Sequence, residues 1–72
     1  NLQGAELSET DLDKTNFEFA NLARARLLRV RTIGSVFFFS ANLEGANFAG
    51  ADLRRASFWR ANLSKANFAE AD

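Results

Sequence analysis

The large apolar residues of this chain recur at every fifth position. The spacing holds up to Leu27 and resumes, shifted by one residue, from Phe38. A small residue, most often alanine, stands two positions before nearly all of them, and the residue between is most often Asn or Asp. The large positions are Leu2, Leu7, Leu12, Phe17, Leu22, Leu27, Phe38, Leu43, Phe48, Leu53, Phe58, Leu63 and Phe68. The chain is thus built from repeated five-residue units.

A period of five fits neither an α-helix nor a flat strand. On a helix, successive large residues would lie about 140° apart and would spiral around every face. In a strand, five steps move the side chain to the opposite face each time. A unit that turns through about a right angle brings every large side chain to the inside, and four such units close a coil of about 20 residues. The period therefore predicts an all-β solenoid with Leu and Phe in its interior.

These units carry a family resemblance. Runs such as Ala41-Asn42-Leu43-Glu44-Gly45 resemble the A-(N/D)-(L/F)-x-x units of the pentapeptide-repeat family, and the resemblance covers residues 1–30 and 36–72. It implies a right-handed quadrilateral parallel β-helix of about 3.5 coils. We expect residues 1–72 to form a single solenoid domain and to be a fragment of a longer chain, because the sequence starts and stops inside a unit.

The regular spacing is interrupted near residues 31–35. Stacked coils leave one interior position there, which either Thr32 or Ile33 would fill. We predict Ile33, because an apolar side chain belongs between the leucines of the neighbouring coils, with the extra residue forming a bulge just before it. The alternative keeps Thr32 inside and places the bulge at residues 33–35. The sequence does not decide between the two.

The composition excludes most catalytic and metal chemistry. The chain has no Cys and no His, which removes thiolate nucleophiles, imidazole bases, disulfides and nearly every zinc or haem site. Its serines and threonines have no evident activating base, and its glycines are isolated. No apolar run is long enough to span a membrane. We therefore predict a protein that is not an enzyme, with no catalytic residue, cofactor, metal site, small-molecule substrate or membrane span.

Charge is balanced overall and uneven along the chain. Nine basic and nine acidic residues give a formal net charge of zero, which does not favour a nucleic-acid partner. Residues 1–18 contain five acids and one base, whereas residues 19–65 contain eight bases and two acids. Because successive outward residues of a solenoid face different sides, we interpret these charges as solvated surface.

Aromatic residues also occupy outward positions, on one side of three successive coils. A contiguous exposed aromatic cluster usually marks a contact, and Trp and Arg often anchor interfaces. We predict that this face binds a protein partner or a second copy of the chain. The alternatives are that another part of the parent protein covers it, or that it stacks single-stranded nucleic acid. The predicted binding residues are Phe19, Phe37, Phe39, Trp59 and Arg60.

We predict a non-enzymatic structural scaffold or protein–protein interaction module built on a rigid solenoid. The family resemblance implies two alternatives: a DNA-mimicking modulator of DNA gyrase or another type II topoisomerase, which requires an acidic surface, and a solenoid appendage of a larger enzyme or signalling protein. The Asn-rich, Ala-rich units resemble those of many cyanobacterial members of the family. This resemblance leaves the compartment open between the cytoplasm, which we favour, and the thylakoid lumen or periplasm.

Overall fold

The chain folds into short parallel strand pairs and contains no helix. The computed structural model describes all residues, 1–72. The strands are β1 (Asp11–Leu12), β2 (Arg31–Thr32), β3 (Val36–Phe37) and β4 (Ala56–Ser57). β1 pairs with β2 and β3 pairs with β4, in two separate parallel sheets of two strands each. The strands are short because the chain changes direction after each of them.

Isolated bridges extend these pairs into four parallel ladders. In one ladder Glu6 pairs with Arg26, twenty residues further on, and Arg26 pairs with Asn47, twenty-one further on. A second ladder contains the bridges of Asn21 with Asn42 and of Asn42 with Asn62. The strands β1 and β2 lie in the third ladder, and β3 and β4 lie in the fourth. The chain therefore winds as a solenoid in which each turn stacks on the previous one.

A tight corner connects each ladder to the next. In most corners the N–H of the small residue donates to the carbonyl of the Leu or Phe three residues earlier, as Ala46 does to Leu43 at 3.0 Å. The residue just before the small one has a positive φ, which is the conformation of the third residue of a type II turn. Gly45 has a φ of 69°, and nine residues other than glycine have φ between 55° and 62°. These corners change the chain direction every five residues.

Large and small apolar residues alternate in the interior. Leu22, Leu27, Leu43, Phe38 and Phe48 are fully buried. The small residues that precede the large ones are buried as well, and they are Ala25, Val30, Val36, Ala41, Ala46 and Ala51. A narrow interior at the packing density of proteins has no room for two bulky side chains in one unit. This explains why the small column of the sequence repeat is kept so strictly.

Phenylalanine rings form two stacks inside the solenoid. The Phe38 ring lies between those of Phe17 and Phe58, 5.0 Å from each centroid and within 7° and 4° of parallel. The Phe48 ring stacks on that of Phe68 at 5.2 Å and meets Phe38 edge-on at 5.9 Å. Rings repeat at this distance because neighbouring strands lie about 4.8 Å apart. Each such pair contributes about 0.5–1.5 kcal/mol beyond the burial of apolar area.

Burial of the predicted interior residues depends on their turn of the solenoid. Leu7, Phe17, Phe58 and Leu63 are partly buried and pack against the core. Leu2 and Phe68 lie in the outermost turns and are 38% and 37% exposed, because a neighbouring turn covers them on one side only. The buried members are Leu12, Leu22, Leu27, Phe38, Leu43, Phe48 and Leu53.

The prediction that Ile33 fills the remaining interior position is wrong. Ile33 is 47% exposed, whereas Thr32 is 1% exposed. The Thr32 hydroxyl donates to the Asp52 carbonyl oxygen and accepts from the Arg55 N–H, both at 3.1 Å, so no polar atom is left unpaired by its burial. The extra residue follows Thr32, in a corner formed by residues 33–35. The alternative interpretation of this segment is the correct one.

Candidate functional site

The outward aromatic residues come together at one corner of the solenoid. The corners at residues 18–19, 39–40 and 59–60 stack in register, since the Phe19 N–H donates to the Phe39 carbonyl and the Ser40 N–H donates to the Trp59 carbonyl, both at 2.9 Å. Stacking of equivalent positions thus brings aromatic side chains from three turns to one edge. We call Phe19, Phe37, Phe39, Trp59 and Arg60 the aromatic corner.

Four of the five residues form a continuous chain of contacts. The ring centroids of Phe37 and Phe39 are 5.2 Å apart, and those of Phe39 and Trp59 are 6.2 Å apart in an edge-to-face arrangement. The Arg60 guanidinium lies 4.7 Å from the centroid of the Trp59 ring. A cation over an indole face is attracted by the ring quadrupole, which positions the Arg60 charge at the edge of the aromatic surface.

The residues of the aromatic corner differ in exposure. Phe19 is 74% exposed and Trp59 is 65% exposed, whereas Phe37 and Phe39 are half-buried. Phe19 makes no aromatic pair, because the position aligned with it in the next turn is Ser40 rather than Phe39. The half-buried Phe37 and Phe39 therefore lie in the turn between two strongly exposed rings, Phe19 in the preceding turn and Trp59 in the following one.

One charged neighbour of this surface was not recognised in the sequence. Glu18 occupies the corner position that Phe39 and Trp59 occupy in the following two turns, and its side chain is exposed. Its backbone N–H donates to the Asn16 side-chain oxygen at 2.8 Å, which fixes the corner. The spacing of 20 to 21 residues that groups the aromatic residues also identifies Glu18.

Ion pairs between stacked turns join part of the opposite charge of the first two turns. Arg26 pairs with Glu6 at 2.8 Å, Arg31 pairs with Asp11 at 3.0 Å, and Arg29 pairs with Glu9, each across two successive turns. Three of the five acidic side chains of the first turn are thus paired with arginines of the second turn, and Asp13 and Glu18 are in no salt bridge. A surface with acidic side chains paired to arginines does not favour the predicted alternative of duplex DNA mimicry, which requires an acidic surface.

The carboxyl group of Glu6 is held in its charged form. Hydrogen bonding by Ser8, through its hydroxyl and its backbone N–H, lowers the pKa of Glu6 from 4.5 to about 2, and the ion pair with Arg26 contributes. The Ser8 N–H lies 2.9 Å from the Glu6 Oε1. The corresponding interaction with Arg54 lowers the pKa of Asp52 from 3.8 to about 2. In both cases the carboxylate of a residue in a ladder accepts from the backbone N–H two residues later, in the adjoining corner.

We expect acid to remove the contribution of Glu6 to stability. Its pKa is lower in the folded chain, so this contribution is fully present above about pH 4.5 and is lost as the pH falls towards about 2. The Glu6→Gln variant should therefore lose less thermal stability between pH 6 and pH 2.5 than the original chain. Thermal unfolding followed by circular dichroism at both pH values measures this difference.

Glu70→Gln is the matched control for acid unfolding, because the Glu70 carboxylate makes no hydrogen bond or salt bridge in the structure. The control should retain the full acid sensitivity of the original chain. High salt should reduce the effect of Glu6, since the carboxylate is exposed and its ion pair is screened. Equal acid sensitivity of Glu6→Gln and the original chain would contradict the assignment.

The surface offers neither a cavity nor a cluster of metal ligands. No pocket is present, and no group of three or more acidic side chains is close enough together to hold a metal ion. The structure also has no helix that could span a membrane. The aromatic corner is therefore the feature from which a function is best argued.

The fold defines a repeat protein of the β-solenoid class, strand-rich and without helices. The chain belongs to the pentapeptide-repeat family, because the family model of pentapeptide repeats matches residues 1–31 and 40–72 in eight copies. The unmatched segment contains the irregular corner after Thr32. Proteins of this family are in general structural repeat proteins rather than enzymes, and a repeat fold of this kind suits protein interaction.

Two solved structures of pentapeptide-repeat proteins are similar to the chain. One comes from the thylakoid lumen of Arabidopsis thaliana, with 30% identity, 97% of this chain and 51% of that chain covered, and a TM-score of 0.49. The other, Rfr23, comes from the cyanobacterium Cyanothece 51142, with 23% identity, 96% and 56% covered, and a TM-score of 0.44. The chain thus spans about half the length of these proteins. No curated protein matches it.

Proposed function

We propose that the chain is a non-enzymatic scaffold that binds a protein partner through the aromatic corner. The observation that carries this proposal is the exposure of Phe19 and Trp59, at 74% and 65%, over half-buried Phe37 and Phe39. Water contact with so much aromatic surface is unfavourable, and its burial against a partner would contribute about 25 cal/mol for each Å² covered. Arg60, fixed over Trp59, adds a hydrogen-bond donor at the edge.

The rigidity of the solenoid supports this role. The chain has 42 backbone hydrogen bonds, most of them between successive turns, such as the bond from the Leu22 N–H to the Asn42 carbonyl at 2.8 Å. A backbone held in this way loses little conformational freedom on binding, which lowers the entropic cost of association. We propose in addition that residues 1–72 form one right-handed quadrilateral solenoid of about 3.5 coils, with a wall on each side.

Site-specific photo-cross-linking in cells tests the proposed interaction surface. A photoreactive phenylalanine analogue replaces Phe19 or Trp59 in one set of variants, and replaces Ala69, at a different and exposed corner, in the control. Adducts should form from the two positions of the aromatic corner and be weak or absent from the control position. The mass of each adduct distinguishes a second copy of the chain from a different protein.

The same experiment gives the result that would overturn the proposal. Cross-linking that is equally strong at all three positions would mean non-specific collisions, and absence of adducts at Phe19 and Trp59 would mean that no partner binds there. Thermal unfolding of each variant by circular dichroism shows whether the solenoid is intact, and the replaced side chains are exposed enough to leave the interior unchanged.

A further inference from the structure

Two arginines without an ion pair border the strand that leads to Trp59. Four of the seven arginines of the chain are in salt bridges and make every guanidinium hydrogen bond, which leaves Arg24, Arg55 and Arg60. All three are exposed. Arg55 directly precedes β4, and Arg60 lies in the corner that follows β4, next to Trp59. One side of the third turn thus has an unpaired cation at each end.

The contact between Arg60 and Trp59 leaves the donors of the arginine available. The guanidinium lies 4.7 Å from the centroid of the Trp59 ring and donates no hydrogen bond within the chain. A guanidinium has five N–H donors in a planar fork, which can form two parallel hydrogen bonds to one carboxylate. The Trp59 ring, 65% exposed, supplies apolar surface beside this fork. The pair therefore suits a carboxylate that has an apolar group next to it.

From this arrangement we infer that the third turn of the aromatic corner binds a short acidic segment of a partner protein. The inference rests on the proposed function of the corner as an interaction surface and names the chemistry of what it binds. One carboxylate of the segment pairs with Arg60, a second pairs with Arg55, and an apolar side chain between them packs on Trp59.

The spacing of the two arginines fits an extended segment. Five residues separate Arg55 from Arg60, so their Cα atoms are at most about 17 Å apart. Acidic residues a few positions apart in an extended segment, at about 3.3 Å per residue, cover most of this distance. The long arginine side chains supply the remaining reach, because both are exposed and neither is held by a carboxylate of its own chain.

Unpaired acids in the first turn favour a short segment over a longer anion. Glu18 occupies the position of Phe39 and Trp59 in that turn, and it is exposed and in no salt bridge, as is Asp13. Lys14 is the only base among residues 1–18, so the unpaired charge there is net negative. A nucleic-acid strand or an anionic membrane would extend over this turn and be repelled. A short peptide contacts the third turn alone, about 10 Å further along the axis.

Binding of a model peptide tests the inference. The probe is a short labelled peptide with aspartates on both sides of a central leucine, and the control peptide has asparagines in place of the aspartates. Fluorescence anisotropy at low salt should give a Kd between about 10 µM and about 1 mM for the probe, because the contact is small. The control peptide should bind at least about tenfold more weakly. Trp59 is the only tryptophan of the chain, so its emission should shift to shorter wavelength when the probe covers it.

Three single variants locate the acidic peptide on the chain. Arg55→Gln and Arg60→Gln should each weaken binding of the probe by about three- to tenfold, because each removes one charged partner of a carboxylate. Arg24→Gln is the matched control, since Arg24 is exposed and unpaired and has a φ of 60° at its corner, against 59° for Arg60. It should leave the affinity unchanged. Far-ultraviolet circular dichroism of the three variants verifies that the solenoid is intact.

Several results of these titrations would overturn the inference. Equal affinity for the two peptides would mean that carboxylates are not recognised, and unchanged Trp59 emission would mean that the probe binds elsewhere. A loss of affinity in Arg24→Gln as large as in Arg60→Gln would mean that the probe responds to overall charge. Tighter binding of a single-stranded thymidine oligonucleotide, or of phosphatidylcholine vesicles containing phosphatidylserine, would assign the face to another class of partner.

Photo-cross-linking separates failure of this inference from failure of the proposed function. Adducts formed from the Trp59 position, without any preference for the acidic peptide, would mean that the corner binds a partner of different chemistry, and only this inference would fail. Absence of adducts from the positions of Phe19 and Trp59 would remove the interaction surface and this inference with it. Adducts whose cross-linked segment is acidic would support both.

Discussion

Replacement of Phe38 by alanine is expected to lower the free energy of unfolding by about 3–5 kcal/mol, the largest effect of any single substitution proposed for this chain. Phe38 is fully buried, and its ring is stacked between those of Phe17 and Phe58 and packed edge-on against Phe48. Its removal opens a cavity in the middle turn, which rigid neighbours on both sides cannot close. A domain of this size has a total stability of only about 4–11 kcal/mol, so the variant should be marginally folded.

Urea unfolding followed by circular dichroism measures this loss, with two comparison variants. Phe68→Ala removes the same side chain from the last turn, where it is 37% exposed, and should cost only about 1–2 kcal/mol. Phe38→Leu keeps most of the apolar volume but loses the ring stacking, and should cost about 1–2 kcal/mol. Equal costs for Phe38→Ala and Phe68→Ala would contradict the assignment of Phe38 to the centre of the core.

The interior of the fold was predictable because its periodicity is local. A five-residue repeat of a large and a small apolar residue requires a corner in every unit, and neither a helix nor a flat strand satisfies it. Leu22, Leu43 and Phe48 are accordingly buried, and their small neighbours Ala41 and Ala46 are buried with them. The burial differences at the outermost turns follow from stacking and are not visible in the repeat itself.

Hydrophobicity alone could not predict that Thr32 rather than Ile33 lies inside, because the N–H that donates to the Thr32 hydroxyl belongs to Arg55, in another turn of the chain. At the regular corners an N–H donates to a carbonyl in the adjacent turn, as the Gly45 N–H does to the Ser64 carbonyl at 2.9 Å. In the corner that follows one turn after the irregular one, the Arg55 N–H donates to the Thr32 hydroxyl, 23 residues earlier in sequence. Loss of the acceptor for this partly buried donor costs about 1–3 kcal/mol, which is comparable to the gain from burying one isoleucine, so hydrophobicity alone does not decide which residue faces inward.

The outer surface was predictable only in part, and the reason is geometric. Aromatic residues at the same corner share the spacing of 20 to 21 residues, so the contact between Phe39 and Trp59 follows from the repeat length. The cross-turn pair of Arg26 and Glu6 obeys the same spacing, but the sequence does not show how far a flexible arginine reaches. The position of an inward side chain follows from its volume, which the sequence gives. The contacts of an outward side chain depend on its conformation, which the sequence does not give.

Replacement of Thr32 by valine, which has nearly the same shape, is expected to cost about 1–3 kcal/mol in the free energy of unfolding. The hydroxyl is the acceptor of the Arg55 N–H at 3.1 Å, and valine leaves this donor without a partner beside the buried interior. The Asp52 carbonyl is affected less, since it still accepts from the Thr32 backbone N–H at 2.9 Å. The loss should therefore appear at the Arg55 amide, whose hydrogen exchange should become faster in Thr32→Val.

Thr32→Ser distinguishes the hydroxyl from the volume of the Thr32 side chain. Serine keeps the acceptor and loses one methyl group, so it should cost only about 1 kcal/mol and leave the exchange of the Arg55 amide slow. Ile33→Ser, at the neighbouring position, should change stability by less than Thr32→Val, because Ile33 is 47% exposed and is not part of the buried core. If valine were as stable as threonine and Arg55 exchanged at the same rate in both, the irregular corner would not depend on a buried hydroxyl. If Ile33→Ser were instead the most damaging change, residue 33 rather than residue 32 would fill the interior, and the extra residue would lie before it.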